Sequence, residues 1–154
     1  MRDVEQVLLQ VVVLAVDDNP EDQSTLAVLL GGLGARTVLK ASTGLEALTL
    51  MKSLPRPVDM IVADVRMPDG NGLQLLQAVR AGAVKGLRAN ATFVLATAYP
   101  EIGIIQTAAS LDANGFVPKP LKREKLEAVI LKARRTIFPP NFARHSTIYV
   151  PDTF

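Results

Sequence analysis

Four short apolar runs each end in a polar residue of a different chemical type. They lie at residues 11–16, 58–63, 93–96 and 116–117, and are followed by Asp17 and Asp18, by Asp64, by Thr97, and shortly by Lys119 and Pro120. Each run reads as a buried strand, and in an open parallel α/β sheet ligands bind in the crevice at the carboxyl ends of the strands. Three carboxylates, a hydroxyl and an ammonium should therefore converge. Crowded carboxylates repel one another and shift their pKa values unless a cation sits among them, and a hard, oxygen-lined site suits Mg²⁺. A lysine and a hydroxyl beside that metal would suit a phosphoryl group.

The elements that must position these residues are legible in the same way. Pro20 can open a first helix where a missing amide costs nothing, with Asn19 as its cap and Glu21 and Asp22 at its positive end. Leu26, Leu29, Leu30 and Leu33 form its apolar stripe, and Gly31, Gly32 and Gly34 close it. A strand is expected at about residues 37–40 and a helix at about 44–54, stopped by Pro55 and Pro57. The loop Met67-Pro68-Asp69-Gly70-Asn71-Gly72 is dense in turn formers and precedes a helix running through Arg80. Further helices are expected at about 101–111 and 121–137, either side of a short strand at 115–118. Strands alternating with helices imply right-handed crossovers and a parallel sheet covered on both faces, with five strands and five helices the natural count.

Composition bounds the function. A chain of 154 residues, 49% hydrophobic and 21% charged, is most simply one globular unit, and with no cysteine it supports neither disulfides nor thiol chemistry. The apolar stretch at 7–16 contains Gln10, is about half the ~20 residues a membrane span needs, and reads as a core strand of a cytoplasmic protein. His145 is the one histidine, which excludes a histidine metal cluster or triad within one chain; a lone histidine so near the end reads as a solvated side chain. Lys122, Arg123, Lys125, Lys132, Arg134 and Arg135 crowd the last helix; a solvated basic face is favoured over nucleic-acid contact, so direct DNA binding is not expected.

The segments VVVLAVDDNPED, MIVADVRMPDGNGLQLL, FVLATAYP and ANGFVPKP, in this order and at these distances, resemble the receiver domain of bacterial two-component response regulators over roughly residues 8–137. The resemblance implies a flavodoxin-like doubly wound sheet of order 2-1-3-4-5. It implies a receiver domain over 1–137, a tail over 138–154, and a sensor histidine kinase or histidine phosphotransfer protein as phosphoryl donor. It assigns Asp64 as the phosphoacceptor. Mg²⁺ would be held by Asp18, Asp64 and the backbone carbonyl of Arg66, with Asp17 acting through water. The Thr97 hydroxyl and Ala98 amide would bind the phosphoryl oxygens, and Lys119, ahead of a cis peptide bond to Pro120, would lean over the crevice. Phe116 takes the place of the switch aromatic, where lack of a phenolic hydroxyl leaves a switch based on packing. Arg66 and Tyr99 would flank the path of hydrolytic water and slow loss of phosphate.

Three further expectations concern surfaces and alternatives. Ile102, Ile104 and Ile105 exceed what one buried stripe of a short helix needs, so at least one should be exposed; in the family the face made by the fourth helix, fifth strand and fifth helix serves homodimerisation or target docking. Phe138, Phe142, Ile148, Tyr149, Val150 and Phe154 make the tail too apolar for a solvated linker, so it should pack on its own domain or on a neighbouring subunit. The competing functions are a pseudo-receiver that binds partners without phosphorylation and an Mg²⁺-dependent phosphohydrolase, which would need a second acid as general acid/base.

Overall fold

The computed structural model describes residues 7–152. Its elements are β1 (Val12–Val16), α1 (Pro20–Gly32), β2 (Thr37–Ala41), α2 (Gly44–Ser53), β3 (Met60–Asp64), α3 (Gly72–Arg80), β4 (Thr92–Thr97), α4 (Ile102–Ser110), β5 (Gly115–Pro118), α5 (Arg123–Arg135) and α6 (Phe142–Thr147). The strands form one parallel sheet of order β2-β1-β3-β4-β5, as the resemblance implied. The apolar stretch at 7–16 is a strand only from Val12: Gln10 has a φ of 68°, and the chain before it turns, although Val7, Leu8 and Val11 are buried.

Strand periodicity sorts the core into two layers. Leu14, Val16, Ile61, Ala63, Phe93 and Leu95 face a layer with Ala47, Met51, Leu73, Leu76, Val79, Ile104 and Ala108 of α2, α3 and α4. Val13, Ala15, Met60, Val62, Val94, Ala96 and Val117 face the other, with Leu26 and Leu30 of α1 and Leu126 and Ile130 of α5. Because both faces are covered, β1, β3 and β4 read as continuous apolar runs. Among the described residues no helix is long and apolar enough to cross a membrane.

The helix starts are set locally. Asn19 caps α1 by accepting from the Asp22 amide, Thr43 caps α2, and Asn71 with Gln74 forms a reciprocal capping box on α3. A side chain at Gly72 would collide with the Asp64 carbonyl oxygen, and one at Gly44 with the carbonyl of Gly70, so these glycines let the start of α3 press against the end of β3 and the start of α2 against the loop that follows it.

Arg80 is a buried cation that sequence reading passed over. Only 1% exposed, it donates to the carbonyls of Leu111, Ala89, Ala91 and Asp112 and to Asn114 Oδ1 at 2.7–3.1 Å. Burial lowers its pKa to about 10, against the attraction of Asp112, so it stays charged at neutral pH. Asn114 relays the network by accepting from the Phe93 amide and donating to the Thr136 carbonyl. The guanidinium thus ties the turn between α4 and β5, where Asp112 has a φ of 55°, to α3 and to the entry of β4.

The segment after α5 differs from a bare tail. It adds the sixth helix, capped by Asn141, and packs on its own chain. Phe142 lies against Gly82, Gln77 donates to the carbonyls of His145 and Ile148, and Ile148 and Val150 pack on the core. The end of the segment returns to the start of α3, where Asn71 donates to the carbonyls of Pro151 and Asp152 and Gln74 donates to the Asp152 carboxylate. Phe154 lies outside the described residues. His145 is not solvated: it is 1% exposed, with Nε2 at 2.8 Å from Asp112 Oδ2, and Arg144 pairs with the same carboxylate. Composition could not reveal this, because the partner lies 33 residues away in sequence.

The basic last helix is not wholly solvated either. Arg123 donates to the Gly32 carbonyl and Arg134 to that of Val7. Ile104 is buried, while Ile102 and Ile105 are exposed.

Replacing Arg80 by Met should cost about 2–5 kcal/mol of unfolding free energy, because the carbonyls it serves lose their donor inside the protein. Chemical denaturation would detect this, and an unchanged midpoint would show that water replaces the guanidinium. Deleting residues 139–154 should lower stability by about 2 kcal/mol, from re-exposure of Ile148 and Val150 and loss of the Asn71 and Gln77 contacts. The melting temperature of the truncated chain checks this.

Candidate functional site

Register decides which side chains meet. Val16 pairs with Ala63 and Asp64 with Ala96, so Asp17 and Asp64 leave neighbouring strands at the same level and Thr97 stands one residue further out. Thr97 in turn pairs with Pro118, which places Lys119 at the rim. Alternation adds a second sorting. Asp64 follows Val62 toward the α1 and α5 side, while Thr97 follows Phe93 and Leu95 toward the α2 to α4 side, on which Phe116 also packs.

The centre of the site is an ammonium. Lys119 Nζ donates to Asp17 Oδ2 at 2.7 Å, Asp22 Oδ2 at 3.0 Å and Asp64 Oδ2 at 3.1 Å. Lys119, Asp17 and Asp64 are 10%, 2% and 12% exposed, whereas Asp22 is 46% exposed. The bond from Lys119 to Pro120 is cis. Asp17 is further held by the Asn19 amide on Oδ1, and Gln23 donates to the carbonyls of Asp17 and Ala41, fastening α1 to the ends of β1 and β2.

Burial pushes the Asp64 carboxyl above its ordinary pKa; attraction to Lys119 opposes this, and Asp17 adds a smaller upward push. Desolvation therefore outweighs the like-charge crowding anticipated from sequence. For Lys119, burial alone would favour the neutral amine, but hydrogen bonds to Asp17 and Asp22 and the charges of Asp64 and Asp17 more than reverse it and hold the ammonium charged.

Asp17, Asp18 and Asp64 each offer an oxygen, and these lie within 4.8 Å of one another. Neighbouring ligands of an octahedral Mg²⁺ at ~2.1 Å stand ~3.0 Å apart, so the three acids would have to draw closer together to share one ion. Asp18 is exposed and able to make that shift.

The remaining residues line the mouth. Thr97 is 1% exposed and its Oγ1 accepts from the Tyr99 amide at 3.0 Å. Ala98 is exposed beside it. Phe116 is half-buried against the α2 to α4 layer. The Arg66 guanidinium lies over the Tyr99 ring, 4.9 Å from its centroid, and pairs with Glu101. Asp22 and Glu101 were not among the residues expected here. Asp22 reads locally as a helix-start acid, and only the placement of that helix start at the crevice could have signalled more.

Residues 13–131 match the family model for the response regulator receiver domain. The chain is 32% identical over 118 residues to a probable chemotaxis protein CheY of Rhizobium etli, covering 77% of this chain and 88% of that protein. It is 38% identical over 125 residues to the positive alginate biosynthesis regulatory protein of Pseudomonas aeruginosa, covering 80% of this chain but 47% of that longer protein. Among solved structures, Vibrio cholerae chemotaxis protein CheY4 superposes with a TM-score of 0.71 at 26% identity, over 80% of this chain and 98% of that one. The receiver domain of a Pseudomonas aeruginosa sensor histidine kinase, with magnesium coordinated in its active-site cleft, has a TM-score of 0.69 over 82% of this chain and 99% of that one; at 24% identity the likeness is one of fold. The chain thus belongs to the response regulator receiver family, the phosphoacceptor domains of two-component signal transduction.

Proposed function

We propose that this receiver takes its phosphoryl group on Asp64, from a sensor histidine kinase or a histidine phosphotransfer protein, and signals through altered protein contacts. The observation that carries the reading is Lys119 Nζ between Asp17 and Asp64, with Asp18 alongside. In the transfer, an Asp64 carboxylate oxygen forms the new P–O bond as the P–N bond to the donor imidazole breaks. Mg²⁺, held by Asp18, Asp64 and the Arg66 carbonyl with Asp17 acting through water, would neutralise charge on the phosphoryl oxygens; the three-acid geometry and the magnesium-bearing receiver of similar fold support it.

The other side chains have matching work. Lys119, kept charged by its neighbours, can turn from Asp64 to a phosphoryl oxygen. Thr97 accepts from the Tyr99 amide yet still has a hydroxyl proton to donate, so it can reach a phosphoryl oxygen together with the Ala98 amide. That movement draws Thr97 away from the layer in which Phe116 is half-buried, leaving the ring room to turn inward. Arg66 and Tyr99, already stacked at the mouth, would screen the bond from water and prolong the signal.

Residues 1–137 form the receiver in this reading and 138–154 an appendage, which docks on it over the described residues up to Asp152. Exposed Ile102 and Ile105 support target docking or homodimerisation through α4, β5 and α5, and the site of action is cytoplasmic. The only chemistry is gain and hydrolytic loss of the phosphoryl group. Acids, lysine and threonine standing together argue against a phosphorylation-independent binding module, and the acids beside Asp64 among the described residues are those assigned here to Lys119 and the metal, which leaves none of them over as general acid/base for a phosphohydrolase.

Acetyl phosphate with Mg²⁺ should add one phosphoryl group, read by intact mass, and Asp64→Asn should abolish it. Labelling that persists in that variant would move the nucleophile elsewhere. A second outcome concerns the metal-free protein. Because the folded-state pKa of Asp64 is raised, the folded protein binds more protons than the unfolded chain, and stability falls as pH rises through that interval. The ionised carboxylate is then a net cost at neutral pH. In EDTA, Asp64→Asn should melt above the parent at neutral pH, and the gap should close as pH falls toward about 4.

A further inference from the structure

We infer that Asp22 is a positioning residue for Lys119, giving the ammonium a partner to keep when a divalent cation takes up Asp17 and Asp64. This rests on the metal reading of the acids above. An ammonium has three N–H donors, and here they go to Asp17, Asp22 and Asp64. Two of these acceptors belong to the group whose oxygens lie within 4.8 Å of one another, and Asp22 does not.

The consequence is electrostatic. A cation entering among Asp17, Asp18 and Asp64 competes for the oxygens that Lys119 holds and repels the ammonium itself. Lys119 is only 10% exposed, so an ammonium displaced from both acids could not simply be taken up by water, and a buried charge without a partner is costly. Asp22 removes that cost. Its backbone is fixed by the Asn19 cap, and its carboxylate, nearly half exposed, reaches Nζ from outside the metal group. The lysine can swing toward Asp22 as the metal arrives and still stand near Asp64 when a phosphoryl oxygen needs a donor. Asp22 touches neither the metal nor the reacting atoms in this scheme and acts through Lys119.

Asp22 could instead favour Mg²⁺ merely as one more negative charge near the crevice, and a double-mutant cycle separates the two. Mg²⁺ affinity of the full chain would be measured by calorimetry for the parent, Asp22→Asn, Lys119→Met and the double variant, with amide NMR spectra to verify folding. Lys119→Gln replaces Lys119→Met if the latter does not fold. Asp22→Asn should weaken Mg²⁺ binding about twofold to fivefold in the parent, the range of a partly exposed ion pair, and should have no effect once Lys119 is gone. Asp22→Glu should restore most of the loss. Equal weakening in both backgrounds, or none in the parent, would overturn the inference while leaving the metal site standing. A parent that binds no Mg²⁺ would overturn both.

Discussion

Lys119 Nζ stands within hydrogen-bond distance of carboxylates from β3, from the end of β1 and from the first turn of α1, and much of the molecule can be understood as holding that ammonium and its acids together. Burial disfavours charge on Asp64 and on Lys119 alike, and the attraction between them, with the hydrogen bonds from Lys119 to Asp17 and Asp22, opposes it. The parallel sheet brings the strand ends into register. Gly72 lets the start of α3 close on the end of β3, Gly44 lets the start of α2 close on the loop after it, and the Asn19 cap sets the position of Asp22. Such a site is neutralised internally by charge-assisted hydrogen bonds rather than by isolation of its charges.

A second electrostatic knot lies at the opposite end of α3. Arg80 grips the backbone of the α4–β5 turn from inside, while Arg144 and His145 grip the Asp112 side chain from outside. The two ends are joined along α3, since the chain after α6 runs back to the Asn71 capping box, which is pressed by Gly72 against the Asp64 backbone. Helix α4 is fastened at its C-terminus through Ser110 and Asp112, while at its N-terminus Glu101 pairs with Arg66 and the first turn carries exposed Ile102.

Local chemistry made most of the scaffold legible. Apolar runs ended by Asp17, Asp64, Thr97 and Lys119 marked the strand ends because strands covered on both faces must be continuously apolar and polar groups can begin only where the cover stops. Asn19 with Pro20, and the turn formers of 67–72, marked helix starts because capping and turn geometry depend on a few adjacent residues. Extra residues at the edges, such as Val11 assigned to β1 or Leu121 assigned to α5, reflect boundaries set by hydrogen bonding to a neighbour.

What escaped sequence reading are long-range pairings of residues whose local role looked complete. Asp22 already served the helix dipole, Arg80 marked only the end of a helix, and His145 looked like part of a solvated end. Their partners lie 97, 32 and 33 residues away. The sequence by itself determined the element order as far as α5, the family and the residue types that gather at the strand ends, because periodicity, capping and motif spacing are encoded among near neighbours. The tertiary structure alone decided that one ammonium serves three acids, that burial rather than crowding dominates Asp64, and that the tail folds back along α3. Each of these depends on distances and desolvation between segments remote in sequence, and such quantities come into being only when the sheet closes.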